Sequence, residues 1–138
     1  MSIENSHQLM TTYVDALRAR GAYDDHFSDD VKVSLMGYDR QVTGRTAARQ
    51  FIDFFHDQAF TADIQIQSVV SGENRAHIEA VFAARHTGEF EGIAATGRQV
   101  NVPYSVGYDI ANGKITALRL YFPLDVLVRQ VQGDGAKG

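Results

Sequence analysis

Apolar residues Leu9, Met10, Tyr13, Val14 and Leu17 recur at helical spacing behind the candidate caps Asn5 and Ser6. The chain therefore opens on an amphipathic helix over about residues 6–20, ended by Gly21. A short helix or turn over Tyr23 to Phe27 leads into a first strand, where Val31, Val33 and Leu35 alternate with Lys32 and Ser34. A loop through Gly37 and Gly44 then opens a helix over about residues 46–58, with Phe51, Phe54 and Phe55 as its apolar stripe. Three phenylalanines on one face need a concave surface to fill.

From residue 62 onward the period is two. Ile64 and Ile66 alternate with polar neighbours, turn residues run from Ser71 to Asn74, and a long strand follows over about residues 75–87. After a glycine-rich link, Val100, Val102, Tyr104, Val106 and Tyr108 alternate with polar or small residues. Asn112 and Gly113 supply the positive-φ positions of a tight hairpin, from which Lys114 to Phe122 returns. A last short helix covers about residues 124–130, and the polar tail 133–138 is expected to be disordered. Helices followed by a run of antiparallel strands predict an α+β fold, with helices packed on one face of a curved sheet. No repeat or linker interrupts the pattern, so residues 1–132 are expected to form one domain.

Composition narrows the function classes. A chain with 44% hydrophobic and 22% charged residues has no signature of disorder, and a net charge of -4 with scattered Lys and Arg offers no field for nucleic acid. The absence of cysteine excludes disulfides, thiolate catalysis and Cys-ligated zinc. The polar start lacks a secretion signal, and no apolar run reaches membrane-spanning length, so a cytoplasmic protein without membrane contact is expected. No His and carboxylate spacing resembles a metal site, and no phosphate loop or dinucleotide fingerprint is present, so no cofactor is expected.

Six strings in this order carry a resemblance. They are Tyr13-Val14-Asp15-Ala16-Leu17, Phe27-Ser28-Asp29-Asp30-Val31, Gly44-Arg45-Thr46-Ala47-Ala48, His86-Thr87-Gly88-Glu89-Phe90, Ala95-Thr96-Gly97-Arg98 and Asn112-Gly113-Lys114-Ile115-Thr116, the last leading to Leu120-Tyr121-Phe122. Together they resemble the SnoaL-like polyketide cyclases of the nuclear transport factor 2-like superfamily, over nearly the whole chain. The resemblance implies a cone-shaped curved sheet, mixed or antiparallel, closed by helices around an apolar pocket. It does not name a reaction, because one scaffold carries cyclases, isomerases, epoxide hydrolases, dehydratases and binding modules.

The family's reactive positions are mostly apolar in this chain. The cyclase aspartate corresponds to Leu120, its histidine to Val106, and the isomerase base to Leu35. The hydrolase Tyr and Asn correspond to Val33 and Leu35, while the isomerase first-helix tyrosine keeps a counterpart in Tyr13. The hydrolase Arg and Asp fall on Glu79 and Val81, which would turn both into the cone. Alternation along that strand gives the opposite orientation, because Ile78, Ala80, Phe82 and Ala84 form its apolar face and His77, Glu79 and Arg85 its polar one.

If Glu79 faces inward, its desolvated carboxyl, with His77 as a relay, would move a proton α to a substrate carbonyl, while the Tyr104 hydroxyl donates to the developing enolate oxygen. Phe51, Phe55, Val102, Val106, Leu118, Leu120 and Phe122 would shape the pocket. The expected activity is then cofactor-independent cyclisation or isomerisation of a small hydrophobic ketone, ester or polyketide-like metabolite, abolished by Glu79→Gln. The alternative is a non-catalytic module that holds such a ligand, and epoxide hydrolysis is a third reading. His86 reads as an anchor for the following loop, and His7, His26, His56 and Asp57 as surface residues. Ile115, Ala117 and Tyr121 would make the convex face apolar enough for a homodimer, which mass in solution tests.

Overall fold

Why the chain turns where it does is clearest at its ends and glycines. The structure is a computed structural model and describes residues 2–133. Helix α1 (Ile3–Arg18) begins earlier than Asn5 and Ser6 suggest, because the Ser2 hydroxyl accepts the Asn5 N–H at 3.1 Å. Met10, Tyr13, Val14 and Leu17 form its buried stripe. A single 3-10 turn (Tyr23–His26) leads into strand β1 (Phe27–Leu35). The loop expected between Gly37 and Gly44 contains a short edge strand, β2 (Arg40–Thr43).

Helix α2 (Arg45–Asp53) is shorter than its apolar stripe implies. Over residues 54–58 the helix widens into one π turn, closed by the Ala59 N–H donating to the Phe54 carbonyl at 2.8 Å. Strands β3 (Phe60–Gly72), β4 (Arg75–His86), β5 (Gln99–Ala111) and β6 (Lys114–Tyr121) follow, then helix α3 (Leu124–Gln132). Asn112 and Gly113 both take positive φ, at 52° and 76°, in the tight hairpin between β5 and β6. Gly133 caps α3 in the left-handed conformation, and the rest of the expected tail lies outside the described residues.

The strands form one sheet in the order β2-β1-β6-β5-β4-β3, antiparallel except where β1 runs parallel to β6. The pairing slips between Ile66 and Ser68 in β3, and between Asp109 and Ile110 in β5. Such bulges sharpen twist and bend the sheet. Two buried clusters fill its concave side. One gathers Met10, Tyr13, Tyr23, Phe27 and Tyr108 under α1, and the other gathers Phe60, Phe82, Phe90, Phe122 and Leu127 under α3.

The outer face is not the apolar surface expected from β6. The slip opposite Asp109 moves Ile115 into the core, where it is fully buried. Arg119, registered opposite Gly107, pairs through two nitrogens with Asp109 at 2.9 and 3.0 Å. Val70 and Tyr121 are the exposed large apolar side chains of this region. Among the described residues no helix is long and apolar enough to cross a membrane.

At the end of β4 the chain packs against the π turn without room for a side chain. Thr87 and Gly88 N–H groups both donate to the Ala59 carbonyl, at 3.1 and 2.9 Å. A Cβ on Gly88 would lie 2.2 Å from the Gln58 carbonyl oxygen, whereas one on Gly21 would meet Ala16 at an ordinary 3.7 Å. Gly88→Ala should therefore lower unfolding free energy by about 2 kcal/mol or more, as overpacked backbone contacts do, and Gly21→Ala by less than about 0.5 kcal/mol. Urea unfolding of both variants checks this, and equal effects would contradict it.

Candidate functional site

Between the two clusters the concave face leaves an apolar cavity of about 60 Å3. Tyr13 and Leu17 of α1 form one wall, and Phe51, Ile52, Phe55 and His56 of α2 and its π turn form another. The sheet contributes Leu35, Ile78, Phe82, Tyr104, Val106, Tyr108, Leu118 and Leu120, with Phe122 just beyond β6. Ring contacts join these walls: Phe55, Phe82 and Tyr104 all approach Phe122, with centroids 6.4, 5.5 and 5.2 Å away.

Strand alternation sorts the residues expected at the site. Tyr13, Leu35, Phe51, Phe55, Tyr104, Val106, Leu118, Leu120 and Phe122 line the cavity. Val33 and Val102 are buried in the packed core instead, off the cavity wall. Glu79 and His77 are corrected: both are exposed on the convex side, registered opposite Ser105 and Gly107. Val81 shares that side and is half-buried there. The inward residues of β4 are its apolar set, and the inward Ile78 and Phe82 reach the cavity. A carboxylate at Glu79 thus sits across the sheet from the cavity, where it cannot touch a bound molecule.

The polar residues lining the cavity are three tyrosines and one histidine. Burial raises the pKa of Tyr13, Tyr104 and Tyr108, so each hydroxyl keeps its proton. A side-chain hydrogen bond links Tyr13 and Tyr108, whose rings meet edge to face at 5.7 Å. Tyr104 makes no hydrogen bond with any described residue. The residue is half-buried and its hydroxyl is not among the buried unpartnered atoms, so it keeps accessible surface from which it can donate to a ligand or a water.

His56 is the residue that sequence reading left on the surface. It follows Ile52 by four positions, so the helix and its π turn bring it to the cavity wall. Its ring lies 6.3 Å from Phe82, and neither nitrogen has a hydrogen-bond partner among the described residues. Its accessible surface is shared between the cavity and a shallow groove outside, bounded by Arg18, Arg20, Thr61 and Asp63. Burial first, then the Arg20 charge, pull its pKa from 6.5 down to about 4, against a smaller opposing pull from Asp53. The imidazole is neutral at physiological pH and can accept a proton.

Two other residues hold the frame. His86 is buried, with Nδ1 accepting the Thr96 N–H at 3.1 Å beside the Thr96 hydroxyl at 2.9 Å, which anchors the loop after β4. Tyr38 donates to Asp125 at 3.1 Å and lowers its pKa, while accepting the Leu124 N–H that opens α3. Among the described residues, no three His, Asp or Glu side chains cluster as metal ligands would.

Residues 7–131 match the SnoaL-like polyketide cyclase family, and the chain belongs to it. No curated protein matches the sequence. Solved structures share the fold at low identity. A protein from Xanthomonas campestris pv. campestris, named as a polyketide cyclase, superposes with TM-score 0.79 at 22% identity, over 94% of this chain and 98% of that one. One from Kribbella flavida, named as a ketosteroid isomerase, gives 0.68 at 14% identity, over 88% and 79%. An LEH-like epoxide hydrolase from M. tuberculosis gives 0.73 at 12% identity, over 97% and 94%.

The depressed His56 pKa has a thermodynamic signature. Because the unfolded chain binds the proton at pH 6.5 and the folded chain only near 4, this component of stability falls as pH drops through that window. At about 1.4 kcal/mol per pH unit, the loss is on the order of 3 kcal/mol. His56→Gln should therefore lose less unfolding free energy than the wild type between pH 7.5 and 4.5, as read by urea titration. Identical pH slopes would contradict the buried, neutral imidazole.

Proposed function

We propose that the cavity performs cofactor-independent proton transfer on a small hydrophobic ketone or ester, as an isomerase or cyclase. The supporting observation is that one apolar cavity is lined by Tyr104, a hydroxyl donor, and His56, a proton acceptor, whose side chains make no hydrogen bond with another described residue. A carbonyl compound would complete both. The Tyr104 O–H donates to the carbonyl oxygen, and a neutral His56 nitrogen removes the proton from the adjacent carbon. The C–H electron pair becomes the enolate, whose charge is balanced by the new imidazolium and steadied by Tyr104. Return of that proton to another carbon gives isomerisation. Attack of the enolate carbon on a second carbonyl of the same molecule gives cyclisation, with His56 returning the proton to the new alkoxide.

Size favours the small end of the range. Cavities for drug-sized ligands measure roughly 300–1,000 Å3. A space of about 60 Å3 is below the roughly 150 Å3 that holds benzene, so even a single ring requires the walls to part slightly and a fused polyketide skeleton requires much more.

A second reading, retention of such a molecule without chemistry, is favoured by one observation: Leu35, Val106 and Leu120 line the cavity where relatives of this fold class are expected to carry acids or bases, and no carboxylate replaces them. The homodimer expected from the sequence belongs to the proposal as well, with exposed Val70 and Tyr121 at its contact.

Cyclohexanone in deuterated buffer separates the readings. Catalysis predicts deuterium uptake next to the carbonyl faster than in buffer, lowered about 100-fold by His56→Gln or Tyr104→Phe and unchanged by Glu79→Gln. Uptake that survives both cavity variants, or that falls with Glu79→Gln, would overturn the proton-transfer reading. Perturbed His56 and Tyr104 resonances without uptake would establish retention alone.

A further inference from the structure

The backbone at the end of α1 contains an unexplained cost. Arg20 adopts φ of 56°, the left-handed region that glycine occupies freely, although Gly21 stands next to it. Its side chain supplies a reason. One guanidinium nitrogen, Nη2, donates to the His56 carbonyl at 3.1 Å and to the Ala62 carbonyl at 2.8 Å. The first acceptor lies near the C-terminal end of the π turn, where helical carbonyls lack partners and a cation is favoured. The second belongs to β3, so one group ties the turn to the sheet.

This tie falls at a residue that lines both the cavity and the neighbouring groove. We propose that Arg20 is the positioning residue of the site: by bridging the His56 and Ala62 carbonyls it fixes the His56 imidazole in the cavity wall as a proton acceptor. The inference rests on the proton-transfer reading for its catalytic meaning.

The charge acts separately from the tie and lowers the basicity of His56, so what Arg20 contributes to proton transfer comes through placement of the ring. The Arg20 guanidinium opposes protonation of His56, so the ring is left unprotonated until a substrate enolate supplies compensating charge. Other groups around the ring do less. Asp53 favours protonation, but Arg49 holds it at 2.9 Å and Tyr23 at 2.6 Å. Arg18 and Asp63 face the outer groove with opposite charges, and Asp57 is exposed on the π turn. From β4 and β5 the ring's cavity neighbours are Phe82 and the protonated Tyr104 and Tyr108.

Arg20→Gly is the informative variant, because glycine suits the positive φ and removes only the side chain. Circular dichroism should show it folded. Its His56 ring signal, identified by its loss in His56→Gln, should titrate at least about half a pH unit above the wild type. Deuterium uptake by cyclohexanone should fall at least about 10-fold, and Arg20→Lys should restore most of the titration shift. An unmoved His56 titration in Arg20→Gly overturns the proposal whatever the uptake. If the wild type shows no uptake but the titration moves, the catalytic reading fails while the placement of His56 by Arg20 stands.

Discussion

The concave face of one bent sheet is buried under helices, and each side chain that strand alternation turns toward it must be apolar, paired, or open onto the cavity. Most positions satisfy this by being apolar: Leu35, Ile78, Phe82, Val106, Leu118 and Leu120 all turn inward. Tyr13 and Tyr108 satisfy it by bonding each other. Tyr104 and His56 do neither, and they stand in the same cavity. The same constraint sends Glu79 and His77 to the opposite face, where charge is solvated and the Arg119–Asp109 pair also lies.

Much of the fold was legible because its strands are long and half-buried. Alternation from Val100 to Tyr108 and the Asn112-Gly113 turn mark out β5, β6 and the hairpin between them. β2 escaped notice because Arg40 to Thr43 has one apolar residue and forms an exposed edge, which leaves no period to detect. The π turn escaped because a five-residue hydrogen-bond step produces nearly the same short-range apolar pattern as a four-residue step. At Ile115 the alternation itself misled, since a slipped register reverses which residues are inside.

Most of the cavity wall was legible in the sequence, whereas Glu79 lies outside that wall. For Glu79 the strand pattern and the family resemblance pointed in opposite directions, and the pattern is the one the structure follows, because it reflects burial along the strand itself. His56 carried a faint signal, a polar residue four positions after Ile52, masked by neighbouring Asp57 and Gln58. Its role depends on groups remote in sequence: Arg20 behind it, Phe82 beside it and Gly88 closing against the turn that carries it. Membership of the SnoaL-like family accounts for the curved sheet and its helices.

The most direct test is a crystal structure determined with cyclohexanone bound. The account predicts the ring inside the cavity, with its oxygen within about 3.2 Å of the Tyr104 hydroxyl and the adjacent carbon facing the His56 ring. A cavity left empty, or a ketone seated on the convex face beside Glu79 and His77, would contradict it.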